Sequence, residues 1–87
     1  MTKAFSESAW EDYCYWLCQD KKTLKRINLL IKDIDRNGYS GIGKPEPLVG
    51  EFSGYWSRRI DECNRIVYKI QNNIIYIAQC GSHYREK

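Results

Sequence analysis

The sequence has little that would support export, membrane insertion or repetition. No apolar run approaches the roughly 20 residues that a helix needs to cross a bilayer. The segment 1–10 has neither the apolar region nor the cleavage site of a signal peptide. No internal repeat, linker or low-complexity stretch divides the 87 residues. We therefore expect a cytoplasmic protein that folds as a single domain, residues 1–87, around one modest core.

Histidine is nearly absent, and the cysteines are poorly spaced for a metal site. The chain has four cysteines and one histidine, without any C-x-x-C motif. Cys14 and Cys18 are four residues apart on a predicted helix, whereas Cys63 and Cys80 stand alone. Structural zinc sites draw four ligands from closely spaced pairs. We therefore expect no metal, no cofactor and no disulfide, with the thiols reduced.

Basic side chains are concentrated in two places, although the net charge is only +3. The first group is Lys21, Lys22, Lys25 and Arg26, and the second is Arg58, Arg59 and Arg65. Either group can neutralise phosphates of a nucleic acid. For the first group alone, a solvated outer face of a helix is the commoner interpretation.

The first half of the chain predicts two helices. The first runs from about Glu7 to Gln19, with Trp10, Tyr13, Cys14 and Leu17 at helical spacing. Its N-cap could be Ser8, which has Glu11 at capping-box spacing, or Ser6. Asp20 can cap a second helix, in which Leu24, Ile27, Ile31 and Ile34 step by three and four. Asn37-Gly38 supplies its stop, and the resulting hairpin needs a sheet to cover its apolar face.

The remaining segments predict strands. A short strand from Lys3 to Ser6 is weakly indicated before the helices. After a loop at 39–47 rich in Gly and Pro, strands are predicted at Leu48 to Phe52, Tyr55 to Ile60, Arg65 to Gln71 and Ile74 to Cys80. Asn72-Asn73 suits a tight hairpin. The expected fold is therefore α+β: one N-terminal strand, a two-helix hairpin and an antiparallel sheet.

The register between two of these strands decides where the arginines point. If Arg59 lies opposite Arg65, both side chains share one face of the sheet, because directly opposed residues point the same way. If Ile60 lies opposite Arg65, then Arg59 points to the other face. The sequence leaves both registers open.

Three kinds of side chain in the chain could together cleave RNA through its own 2′-hydroxyl. The reaction needs a base, an acid and cations that hold the developing charge. The chain offers Glu46 between two prolines, the sole histidine His83, and the arginines. Each also has a bland interpretation: Glu46 as an exposed loop acid, His83 as a tail residue, Arg65 as an edge-strand charge. Likewise, the pair Tyr55-Trp56 is more often core than a base-stacking platform.

Motifs spread over essentially the whole chain, and in the same order, resemble those of one family. Residues 41–48 resemble G-x-G-K-P-E-P-L, 53–60 resemble S-G-[FY]-[WY]-S-R-R-I, 65–68 resemble R-L-V-Y, and Cys80 with His83-Tyr84 resembles C-x-x-H-Y. The stretches 10–13 and 25–28 also fit. The chain thus resembles the YoeB toxins of the RelE superfamily.

The resemblance implies a fold like that of microbial ribonucleases and cleavage of messenger RNA in the ribosomal A site. It implies Glu46 as general base, His83 as general acid and Arg65 as the group that stabilises the transition state. Lys44, Arg59 and Tyr84 would position the RNA. It further implies neutralisation by a YefM-type antitoxin, co-repression of operator DNA through that antitoxin, and a possible homodimer. We also expect the basic group at 21–26 to contact the ribosome.

The sequence departs from the family pattern in three places. Val49 stands where the family often has a lysine, and Asn64 stands where a histidine is common. Residues 85–87 extend beyond the closing His-Tyr pair. Two rival functions remain open: a protein that only binds antitoxin and regulates DNA binding, and a gyrase poison of the related ParE branch. The set Glu46, Arg65 and His83 favours the nuclease, because a gyrase poison needs no acid–base pair.

Overall fold

A computed structural model describes residues 1–81 of the chain. It contains strand β1 (Thr2–Phe5), helices α1 (Glu7–Gln19) and α2 (Lys21–Asn37), and then strands β2 (Glu46–Pro47), β3 (Trp56–Arg59), β4 (Arg65–Gln71) and β5 (Ile74–Gly81). A short 3-10 helix, Gly50–Phe52, lies between β2 and β3. The order of strand, helical hairpin and sheet agrees with the predicted α+β fold.

Local capping determines where the two helices begin and end. The side chain of Ser6 accepts a hydrogen bond from the amide of Ala9 at 3.0 Å, so Ser6 rather than Ser8 caps α1. Asp20 accepts hydrogen bonds from the amides at 22 and 23 and caps α2. Gly38 ends α2 with a positive φ of 68°, and its amide donates to the carbonyl of Ile34. Both helices therefore keep the predicted bounds.

The five strands form one mixed sheet in the order β1-β5-β4-β3-β2. Strands β2 to β5 pair in antiparallel fashion, as predicted, whereas β1 pairs with β5 in parallel. Parallel neighbours need a long connection, and the chain from α1 through β4 supplies it here. The β4–β5 hairpin turns at Asn72 and Asn73, which both have positive φ, as a type I′ turn requires.

The prediction of a strand from Leu48 to Phe52 is wrong. The pairing with β3 begins earlier, at Glu46 and Pro47, and the amide of Leu48 extends it by donating to the carbonyl of Tyr55. After that point the chain leaves the sheet: Val49 is 86% exposed, so a strand there would have no core to cover. The segment closes instead as the 3-10 helix Gly50–Phe52.

The core lies between the two helices and one face of the sheet. It contains Ala9, Ile27, Leu30, Ile31, Ile34, Ile60, Ile66, Tyr68, Ile75, Ile77 and Cys80. Each large apolar side chain buried there contributes on the order of 1.5–3 kcal/mol relative to exposure. Among the described residues, no helix is long and apolar enough to span a membrane. We call the sheet face that packs on the helices the covered face and the opposite face the open face.

Candidate active site

The register of β3 and β4 places the candidate residues on the open face. Arg59 lies opposite Arg65, and Ser57 lies opposite both Val67 on β4 and Glu46 on β2. Because opposed residues point to the same face, these five side chains share the open face. The structure therefore selects the first of the two registers that the sequence left open.

Glu46 and Arg65 form an ion pair on the open face. Nη1 of Arg65 lies 3.3 Å from Oε2 of Glu46, and the two side chains are 41% and 54% exposed. A solvated pair of this kind contributes only about 0–1 kcal/mol. An incoming phosphate can therefore take Arg65 from the carboxylate at small cost, and the carboxylate is then free to accept a proton.

Arg59 extends the cationic surface beside this pair. Its side chain is exposed, while its backbone is held at both ends. The amide of Arg59 donates to the carbonyl of Gly43 at 2.7 Å, and its own carbonyl accepts from Arg26 at 3.2 Å. The strand end that carries Arg59 is thus tied both to the loop before Glu46 and to α2. Lys44, the next residue of that loop, is exposed.

Arg58 does not lie on the open face, although the sequence groups it with Arg59 and Arg65. Alternation along β3 turns its side chain to the covered face, where it is fully buried. It forms an ion pair with Asp33, and that hydrogen bond is the main cause that lowers the pKa of Asp33 below its ordinary value. The second arginine group is therefore divided between two faces with different roles.

The basic group at 21–26 lies apart from the open face. Lys21, Lys22 and Lys25 are exposed on the first turns of α2, which packs on the covered face. A shallow groove of about 480 Å³ runs beside this group and continues to Leu29 and Lys32. Only Arg26 reaches the active-site strand, through the carbonyl of Arg59. Most of this group therefore lies apart from the Glu46–Arg65 pair.

Two of the predicted site residues, His83 and Tyr84, lie outside the described residues. The described part of β5 ends at Gly81, which lies directly opposite Arg65. The tail at 85–87 also lies outside them.

The pair Tyr55-Trp56 divides between the two faces. Trp56 packs against the core side and stacks on Tyr39 with ring centroids 4.7 Å apart. The ring of Tyr55 instead contacts Nζ of Lys69 at 5.0 Å, and Lys69 lies opposite Tyr76 on the open face. The core interpretation of the pair therefore holds for Trp56 alone. Strand alternation is the sequence signal that could have separated them.

The four cysteines are free thiols, and Cys80 is the buried one. Cys18 and Cys63 are exposed, while Cys14 is partly buried. Within residues 1–81, no group of three or more His, Cys, Asp or Glu side chains is arranged to hold a metal ion.

Comparison with known proteins identifies the family. The model of the YoeB-like toxin of the bacterial type II toxin-antitoxin system matches residues 5–84. The chain belongs to this family. It is 51% identical over 84 residues to the toxin YoeB of Streptomyces coelicolor and 49% identical over 84 residues to that of Escherichia coli K12, covering 97% of this chain and 100% of each relative. It is thus a toxin of the YoeB type, as the motifs predicted.

Solved structures agree with the YoeB assignment. The YoeB-YefM heterotetramer from Staphylococcus aureus contains a chain that is 50% identical, with a TM-score of 0.91 over 97% of this chain and 98% of that one. YafQ from Escherichia coli is 17% identical with a TM-score of 0.71 over 93% of this chain and 91% of that one. At that identity, the likeness to YafQ concerns the fold alone.

Proposed function

We propose that this YoeB-family toxin is an endoribonuclease that cleaves messenger RNA in the ribosomal A site and so arrests translation. One observation carries the proposal: an exposed carboxylate, Glu46, stands beside the guanidinium of Arg65 on an open sheet face, with Arg59 opposite. This arrangement offers a proton acceptor and two cations to one phosphodiester. Membership of the YoeB family supports it independently.

Glu46 is the general base of the proposed reaction. Its carboxylate takes the proton of a ribose 2′-hydroxyl, and the oxygen attacks the adjacent phosphorus. The bond between phosphorus and the 5′-oxygen then breaks. His83 is the general acid that gives a proton to this leaving oxygen. One proton is taken and one is returned, so the products are a 2′,3′-cyclic phosphate and a free 5′-hydroxyl, with no metal or cofactor required.

Arg65 stabilises the charge that develops on the phosphate oxygens. Its guanidinium can exchange the weak contact with Glu46 for a charge-assisted pair with phosphate, which is geometrically specific. Arg59 adds a second cation on the same face. Lys44, two residues before Glu46, and Tyr84, next to His83, complete the proposed positioning set.

The ribosome is the proposed platform for this reaction. A net charge of +3 is low for a nuclease that must hold RNA unaided. The group Lys21, Lys22, Lys25 and Arg26 supplies a second basic surface for ribosomal RNA, and Arg26 also joins it to the strand that carries Arg59. Cytoplasmic action follows from this choice of substrate.

The proposed protein partner is a YefM-type antitoxin. The Staphylococcus aureus relatives are a YoeB-YefM heterotetramer and a YoeB dimer. Given the 50% identity to these chains, we propose that this toxin also binds a YefM-type antitoxin and can form a homodimer. Co-repression of operator DNA would then occur through the antitoxin.

The test is cleavage on ribosomes programmed with a defined messenger RNA. The expected result is a cut in the A-site codon, with a cyclic phosphate on one fragment and a 5′-hydroxyl that polynucleotide kinase can label directly. Glu46→Gln, which keeps the shape and removes the base, should abolish the cut. A 5′-phosphate end would contradict the mechanism. If growth stops while messenger RNA stays intact and DNA is damaged, the protein is a gyrase poison instead.

A further inference from the structure

Resting on the proposed function, we propose that Arg58 is a positioning residue. With Asp33, it holds the loop 38–43 on the covered face, and it thereby fixes the backbone that leads through Lys44 to Glu46, which lies on the open face beside Arg65. The proposal assigns different roles to two adjacent arginines: Arg58 builds the loop that carries the base, and Arg59 contributes charge toward the RNA.

The side chain of Arg58 is fully engaged in holding this loop. A guanidinium has five N–H donors, and the structure gives each a partner. Nη1 donates to Asp33 and to the carbonyl of Ile42 at 3.0 Å, and Nη2 donates to the carbonyls of Gly38 at 2.8 Å and Ser40 at 2.7 Å. Three of the five acceptors are thus backbone carbonyls of one loop.

Two further groups complete this anchor. Nε of Arg58 donates to the hydroxyl of Tyr68 at 3.2 Å, and that hydroxyl donates to the carbonyl of Gly38 at 3.1 Å. Burial raises the pKa of Tyr68 above its ordinary value, which keeps the hydroxyl protonated as a donor. Asp33 accepts from the amide of Ile42 at 3.1 Å as well as from Arg58. The loop is therefore bonded through both its carbonyls and an amide.

The two glycines of the G-x-G motif fit this anchor closely. A Cβ on Gly41 would collide with the carboxylate of Asp33, and one on Gly43 would lie 2.9 Å from Leu30 Cδ2 and 3.3 Å from Arg58 Cβ. Glycine-rich segments before a basic residue often cradle a phosphate. Here the backbone instead approaches the ion pair of the buried Arg58 with Asp33, so the motif serves the architecture of the loop.

The anchor ends where the backbone is strained. Lys44 has a positive φ of 52°, which is uncommon for a residue other than glycine. Such a conformation persists only where the surroundings over-determine it. Gly43 before it is held by the amide of Arg59, and Glu46 after it is held by pairing with β3. Since the exposed Glu46–Arg65 contact is too weak to fix Glu46 by itself, the backbone on either side of Lys44 must do so.

Amide hydrogen exchange tests the anchor itself, independently of any activity. The amides of Ile42 and Arg59 report the loop, because they donate to Asp33 and to Gly43. In Asp33→Asn and Tyr68→Phe they should exchange at least tenfold faster than in the wild type, while amides of the β4–β5 hairpin keep their protection. Unchanged exchange at both amides would overturn the anchor.

Single-turnover cleavage on programmed ribosomes tests the positioning role. Arg58→Lys and Asp33→Asn should lower the maximal rate by about 10–100-fold, with the half-saturating ribosome concentration changed less than threefold. Tyr68→Phe removes one hydroxyl and nearly conserves volume, so it disturbs the core less than the Arg58 and Asp33 variants. It should lower the maximal rate severalfold. Tyr13→Phe removes a hydroxyl that donates to Asn28 on α2 and is the matched control, with a wild-type rate expected.

Loss of stability must be separated from loss of positioning. Ile75→Val and Ile75→Ala bracket a range of destabilisation from a buried apolar site on β5, whose side chain forms none of the hydrogen bonds of the loop anchor. Rates are compared among variants that urea titration shows to be folded. If Ile75→Ala loses rate as much as Arg58→Lys, or if the anchor variants cleave at the wild-type rate with a loosened loop, the positioning role is wrong. Absence of cleavage by the wild type would instead refute the proposed function, and the exchange experiment would still decide the anchor.

Discussion

Arg59 lies directly opposite Arg65 across β3 and β4, and both side chains stand on the sheet face that carries Glu46. The carboxylate of Glu46 thus has one guanidinium in contact, that of Arg65, and a second on the same exposed face, that of Arg59. Arg58, which precedes Arg59 in sequence, lies on the covered face, where it is buried and paired with Asp33. The two adjacent arginines therefore lie on opposite faces of the sheet.

The proposed acid, base and cation act on one transition state. Glu46→Ala, Arg65→Ala and His83→Ala should each lower the cleavage rate by about 10²-fold or more. The losses should not multiply in double variants, because the three groups act as a unit. Glu51→Ala, which removes an exposed carboxylate from the nearby 3-10 helix, is the control and should cleave normally. Three folded variants with wild-type rates would rule out this assignment.

The basic group on α2 should set the affinity for ribosomes. Neutralising Lys21, Lys22, Lys25 and Arg26 to glutamine should weaken binding and flatten its dependence on salt, because fewer counterions are released. Neutralising Lys32 and Arg36, farther along the same helix, is the control. The loss of ribosome affinity for each charge removed is compared between the two sets of variants. The measurement is ribosome affinity across a salt series. If the fourfold substitution leaves the slope of log affinity against log salt concentration unchanged, this surface does not contact the ribosome.

The Asp33–Arg58 pair should make the fold sensitive to acid. The hydrogen bond from Arg58 lowers the pKa of Asp33 in the folded state. The pair therefore stabilises the fold fully above the ordinary Asp pKa of about 4, and this stabilisation is lost as pH falls through the lowered folded value. Urea unfolding at pH 5 and pH 3 should show a smaller loss for Asp33→Asn than for the wild type. A loss of equal size would mean that the titration of Asp33 is not linked to folding.

The C-terminal residues should separate activity from partner binding. A chain that ends at Tyr84 should fold, bind antitoxin and cleave within about tenfold of the wild-type rate, because salt at physiological strength screens charges that are in contact with solvent. A chain that ends at Ser82 lacks the proposed acid and should bind antitoxin without cleaving. If the chain that ends at Ser82 is fully active, a group other than His83 protonates the leaving 5′-oxygen.

Local signals in the sequence determined the helices and the main hairpin. Ser6, Asp20 and Gly38 cap their helices through contacts within a few residues of each site, so the bounds of α1 and α2 are readable without the fold. The pair Asn72-Asn73 likewise sets the turn between β4 and β5. The family motifs also named Glu46 and Arg65 as site candidates, and the structure brings these two together.

Only the tertiary structure decided which face each side chain takes. A shift of one residue in the register of β3 would send Arg59 to the covered face and bring Arg58 to the open one, and both registers fit the same sequence pattern. The parallel pairing of β1 and the departure of Val49 from the sheet depend in the same way on contacts between distant segments. The carboxylate partner of the buried Arg58 lies 25 residues away, on α2. Such contacts form when the packed core selects one arrangement, because burying a guanidinium is tolerable only where every donor finds its acceptor.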